Sequence, residues 1–290
     1  MKDRLVGTLS IVIAAVIFGI MPLFAKIIFS NGGDPVSLVF YRFFVPIPVL
    51  YFINKKRQID LTISWKEVLR LIVLSLFGIS ASLILLYYSY NYISIGLATA
   101  IFYIYPIFVA IGCVLFFEHK MTPGEVLSVI LCGLGMFLFL DNIGKVNIIG
   151  ILLSFLSGIC YAFYIVYFDK SSLRTMDIYK TTYYLCIVSS GLLFIYSLAM
   201  DTLVIKLSPL CWFLLIFVSL IVTIVAVTLF QYGIKLIGSQ KASIMGTFEP
   251  ITSVILGVSI LEESFNVRTL LGFVIILTSV VLSQYSGKVT

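Results

Sequence analysis

From Leu71 to Phe117 the chain contains no Asp, Glu, Lys, Arg or His. A straight helix of that length would reach roughly 70 Å at about 1.5 Å per residue, over twice the hydrocarbon thickness of a bilayer. The run must therefore double back, and the polar, glycine-bearing stretch Asn91-Tyr92-Ile93-Ser94-Ile95-Gly96 is the natural turn. Other uncharged runs, Leu5–Ala25, Val146–Phe168, Thr181–Met200, Leu207–Ile234 and Thr269–Gly287, each reach the length of about 20 residues that one span consumes. Met121–Leu140 adds a helix entered through Thr122-Pro123-Gly124-Glu125. Two further spans each hold one internal charge: Pro35–Asn54 contains Arg42 and Ala242–Leu261 contains Glu249. The sequence thus predicts an all-α integral membrane protein with ten transmembrane helices, near 5–29, 36–54, 68–90, 96–117, 122–140, 147–168, 178–200, 209–233, 241–261 and 267–286.

Hydrophobic residues make up 61% of the chain and charged residues 11%, against about 45–50% and 25% in a soluble domain. One buried core cannot absorb that excess, which excludes a soluble enzyme, a nucleic-acid-binding module and a receptor with a large ectodomain. The net charge of +6 reads as loop charge facing anionic lipid. Counting Lys and Arg on alternate sides of the ten predicted helices puts fourteen of the nineteen on the side of both termini. Lys145, Lys206 and Arg268 lie opposite, with Lys26 and Arg42 inside helices. The expectation is a multi-pass plasma-membrane protein with N- and C-termini in the cytoplasm. The first apolar run is about twice a signal-peptide h-region and lacks a small-residue cleavage site, so it is expected to stay in the mature protein.

Sliding the chain against itself by half its length, 144 residues, superposes Phe24 and Lys26 on Phe168 and Lys170, Tyr88 on Tyr232, Ala98 on Ala242, Pro106 on Pro250 and Glu118 on Glu262. Residues 1–144 and 145–290 are read as two five-helix repeats. Because five is odd, the second crosses the membrane upside down relative to the first, the usual scaffold of secondary transporters. The segment from Ala98 through Tyr105-Pro106 to Glu118, its mate from Ala242 through Glu249-Pro250 to Glu262, and Phe40-Tyr41-Arg42-Phe43-Phe44 resemble the drug/metabolite transporter superfamily, specifically its EamA-type domain. The resemblance spans the whole chain. It implies alternating-access export of small metabolites, such as amino acids or related polar or amphipathic compounds, and it implies a bacterial plasma membrane. Exchange without ion coupling and a non-transporting sensor or scaffold are the competing readings.

Glu249 lies deep in its predicted span, where an ionised side chain costs several kcal/mol unless it is paired, wetted or protonated. It reads either as a proton-coupling or ammonium-binding group or as a fixed partner for Arg42, which sits about two turns into its own span. The repeat pairs Glu249 with Tyr105, and Gln231 with Tyr87; Tyr161 and Tyr164 add polar-tipped aromatic surface. Pro22, Pro106 and Pro250, with Gly19, are read as kink or gating points, although a close helix contact explains a membrane glycine equally well. Glu118 and Glu262 read as interfacial charges or gate latches. The five cysteines and single histidine form no metal-ligand spacing, and no cofactor or nucleotide motif occurs. The expected partners are a small-molecule substrate, the lipid bilayer and, on the coupling reading, protons. No nucleic acid is expected, and monomer and homodimer stay equally open.

Overall fold

The structure, a computed structural model, describes residues 2–93, 95–117, 121–138, 147–260 and 267–286. Among them there is helix and no strand. Seven helices are long and apolar enough to cross a membrane: α1 (Asp3–Ser30), α2 (Pro35–Lys56), α3 (Trp65–Ser89), α4 (Leu97–Phe116), α6 (Ile148–Lys170), α7 (Ile178–Met200) and α8 (Pro209–Ile237). The remaining helices are α5 (Pro123–Leu138), the short α9 (Ser239–Met245), α10 (Phe248–Ile260) and α11 (Val267–Ser286). Their starts follow local chemistry. Asp34 accepts from the backbone N–H groups of Val36 and Ser37 ahead of α2, with Pro35 in the first turn. Ser64 and Glu67 form a capping box for α3, and Asp177 and Ser208 cap α7 and α8.

The irregularities recur at the repeat spacing. α3 widens into a π-helical stretch at Ser75–Ile79, and α8 does the same from Ser219, the mate of Ser75. α4 is interrupted by turn residues Tyr103 and Ile104, and α9 is parted from α10 by Gly246 and Thr247, where Thr247 is the mate of Tyr103. Two interruptions have no mate. α1 breaks at Ile20 ahead of Pro22, and α2 breaks at Val45 ahead of Pro46. α6 and α7, which occupy the corresponding places, run straight through.

The helices interrupted at matched positions pack against the first helix of the other half. α1 lies on α8 and α10, and α6 lies on α3 and α4, while α2 pairs with α7 and α5 with α11. Gly158 of α6 makes this closeness possible, because a Cβ there would stand 2.9 Å from the Phe102 carbonyl oxygen. Small hydroxyl side chains join the helices inside the apolar core: Ser75 Oγ lies 2.7 Å from Ser189 Oγ, and Ser157 Oγ donates to the Ser82 carbonyl at 2.7 Å. Such bonds suit a lipid environment, where hydrophobicity does not itself drive helices together. Large apolar side chains such as Leu115, Phe116, Ile195 and Phe213 point outward.

Candidate functional site

The interrupted helices meet around one cavity whose walls include Glu249, Arg42, Tyr87, Tyr161, Tyr164 and Pro22. Its free volume is about 40 Å³, room for a few waters and too small for a metabolite. Anything larger enters only when helices move.

The backbone around the cavity is set by prolines placed where helices restart. Pro22, Pro106 and Pro250 all fall in the first turn after a break, where a missing N–H costs nothing. Helices 4 and 9 of the sequence reading are thus broken pairs rather than continuous kinked spans. The carbonyls that prolines leave without a helical donor find other partners. The Gly246 carbonyl accepts from Glu249 N–H at 2.9 Å. Pro46 cannot donate to the Arg42 carbonyl four residues back, and Thr223 Oγ1, on the π stretch of α8, donates to that oxygen at 3.0 Å. Ser219 Oγ likewise donates to the Tyr41 carbonyl at 3.1 Å. The matched irregularities are therefore linked to Arg42 directly: the α8 bulge supplies the hydroxyl that the α2 break requires.

Arg42 is 4% exposed. Its Nη1 donates to the Tyr87 hydroxyl at 3.4 Å, and its guanidinium carbon stands 6.0 Å from the Phe18 ring centre. Its Nε meets no hydrogen-bond partner. Glu249 sits in the first turn of α10, where the helix N-terminus favours negative charge. The Tyr103 and Tyr90 hydroxyls meet no partner at hydrogen-bond distance. The ion pairs found among the described residues gather around Asp169, and none joins Arg42 to Glu249. The cavity thus holds one acid and one base, with the base bonded to the Tyr87 hydroxyl and near the Phe18 ring, and with Arg42 Nε and the Tyr90 hydroxyl unmet.

Gln231 and Tyr105 stand one layer behind the wall. Gln231 is fully buried; its Nε2 donates to Tyr164 Oη at 3.0 Å and its Oε1 accepts from Thr182 Oγ1 at 3.1 Å. It orients Tyr164. Gln231→Leu would leave two buried hydroxyls unpaired, so a loss of about 1–2 kcal/mol is expected, read as a lower melting temperature in detergent. Tyr105 Oη donates to the Ser243 carbonyl at 3.4 Å and fills the space a side chain on Gly246 would need. Gly19 is a packing glycine: its carbonyl accepts from Ser253 Oγ at 2.8 Å, and a Cβ would lie 2.6 Å from the Glu249 carbonyl oxygen. Glu118 and Glu262 lie outside the described residues. Thr99 also lines the cavity; with Tyr90 and Tyr103 it was absent from the sequence reading. One signal was available for Thr99, because the repeat superposes it on Ser243, another hydroxyl. The metal-ligating residue types form no cluster among the described residues.

A bundle of membrane-length apolar helices around a cavity that holds Arg42 and Glu249 suits a membrane transport protein. The family comparison agrees: the EamA-like transporter family matches residues 5–141 and again 148–285, and the chain belongs to that family. It is 25% identical over 278 residues to an uncharacterized transporter of Archaeoglobus fulgidus, covering 96% of each chain. It is 23% identical over 289 residues to an uncharacterized transporter of Bacillus subtilis, covering 93% of this chain and 90% of the other. A solved crystal structure shares the fold at TM-score 0.80 and 13% identity, over 98% of this chain and 96% of that one.

Proposed function

We propose that this protein is a secondary transporter that exports small zwitterionic metabolites, amino acids or related compounds, across the plasma membrane by alternating access. In this reading residues 1–144 and 145–290 are inverted five-helix halves, ten helices in all, with both termini cytoplasmic. The halves rock about the central cavity. The observation that carries the reading is the unpaired state of its charges. Arg42 keeps an unmet Nε–H, the Tyr103 hydroxyl meets no partner, and no ion pair joins Arg42 to Glu249 among the described residues. Buried polar groups left this way are costly, and a ligand bearing both carboxylate and ammonium would satisfy them together. Proton coupling through Glu249 belongs to the same proposal, since a carboxylate that exchanges a proton for a substrate ammonium links the two movements. The protein acts in transport, not catalysis.

A thermal-shift screen of the detergent-purified protein tests it. At about 100 times its Kd a ligand stabilises by about 2.7 kcal/mol, so pooled zwitterions should raise the melting temperature by several degrees, and Arg42→Met should lose the shift. If neither zwitterions nor any other pool moves the native protein, and liposomes containing it pass zwitterions no faster than empty ones, the reading fails.

A further inference from the structure

Among the described residues two acids outside the cavity are buried: Glu125, which accepts from Thr122 N–H within its own helix start, and Asp169, which reaches other helices. Asp169, at the end of α6, is 4% exposed. Its Oδ2 accepts from Ser239 N–H at 3.1 Å and from Ser239 Oγ at 2.9 Å, while Arg174 Nη1 stands 3.2 Å from Oδ1 and Lys170 Nζ 3.7 Å from Oδ2. Arg174 is itself tied to α8, donating through Nη2 to the Lys235 carbonyl at 2.9 Å. Cys113 of α4 closes the group, its Sγ 3.3 Å from Ser239 Oγ. Four helices are thus knotted at one point of the bundle, at the lysine- and arginine-rich end.

The knot and the cavity share α6. Along α6 the side chains run from Tyr161 and Tyr164 on the cavity wall, through Phe168 with its ring 6.4 Å from that of Tyr164, to Asp169. The element it holds is α9, seven residues long and bounded by glycines. Gly238 precedes it at φ +80°, a conformation L side chains avoid, and Gly246 follows it at the break. This short helix is held at its first residue by the knot and at Ser243 by the Tyr105 hydroxyl. At the opposite end the repeat places Ala25 where Asp169 stands, Ser30 for Arg174 and Ile95 for Ser239. The device therefore has no mate.

We propose that Asp169, Arg174 and Ser239 form a latch that must release α9 before the cavity can open toward the lysine- and arginine-rich end of the bundle. The proposal gives the alternating-access reading its gate, but its test uses no substrate and no flux, so either can fail alone. Cys113 is the reporter, 3% exposed with the latch closed. Two purified proteins are compared, one with Cys113 as the sole cysteine and one with Cys186, which is fully buried in α7. Asp169→Ala is expected to raise the rate of maleimide attack on Cys113 at least about tenfold while Cys186 stays slow. Arg174→Ala is the milder companion, because the arginine side chain is 43% exposed and its loss leaves the Ser239 bonds in place; about threefold is expected. An unchanged Cys113 rate in the folded variants overturns the latch. So does an equal rise at Cys186, which would mean general loosening. If Asp169→Ala fails to fold, the Arg174→Ala rates decide.

Discussion

Glu249→Gln is expected to leave the protein folded, with a melting temperature within a few degrees of native, and to reduce gradient-driven flux by about 100-fold. The two halves of that expectation have one physical source. Among the described residues no ion pair holds Glu249, and the Tyr103 hydroxyl meets no partner at hydrogen-bond distance. Glu249 is partly exposed and joins no ion pair among the described residues, so its neutral isostere gives up no salt bridge. A transported ammonium, or a proton carried against it, needs the charge. A charge-assisted hydrogen bond is worth about 1.5–3 kcal/mol, and about 2.7 kcal/mol corresponds to the 100-fold loss. The measurement is uptake into liposomes under an imposed pH gradient, beside counterflow at equal pH. Full gradient-driven transport by the variant would sink the coupling role. Loss of gradient-driven uptake with counterflow retained would assign Glu249 to the proton alone. A melting temperature that collapses would make the residue a structural partner.

The same Gly→Ala change at two helical glycines should have opposite consequences. At Gly19 the new Cβ would lie 2.6 Å from both the Glu249 carbonyl oxygen and Thr252 Cβ. The first neighbour is backbone, so it cannot swing aside, and α1 must move off α10. That separation breaks the Ser253–Gly19 hydrogen bond and opens the cavity wall at Pro22. Overpacking of this kind costs about 1–3 kcal/mol and more where backbone is the obstacle; about 3 kcal/mol is expected here. At Gly191, exposed on α7, a Cβ meets nothing within 4 Å, and alanine should stabilise by about 0.5–1 kcal/mol by favouring the helix. Melting curves of the two variants in one detergent decide the matter. Equal behaviour would mean that the α1–α10 contact is not tight.

Much of the site could be read from the chain because its markers are chemically rare in such a composition. Arg42 and Glu249 are conspicuous charges among apolar residues, and the Pro106–Pro250 match points to both interrupted helices. What the reading lacked was the state of the helices. A proline in an apolar run looks the same whether it kinks a continuous helix or opens a new one, and only the turns at 103–104 and 246–247 distinguish the two. Tyr103 shows a second limit, since among seventeen tyrosines nothing in its own neighbourhood marks it as a buried hydroxyl without a partner. Asp169 shows a third. Beside Lys170 at a helix end it reads as solvated loop charge, and its burial depends on Ser239, seventy residues away in the chain.

The division follows from the range of the forces. Helical segments, membrane residence and the twofold repeat are sums over neighbouring residues: the transfer of apolar side chains, the absence of charge, the repetition of a pattern at fixed spacing. The chain states them directly. Which charges share a cavity, whether they pair, and which hydroxyl repairs a carbonyl freed by proline are decided between segments far apart. Thr223 and Arg42 are separated by 181 positions, and nothing in the residues around either names the other. Their meeting is set by the crossing of α2 with the widened turn of α8, so it exists only once the helices have packed.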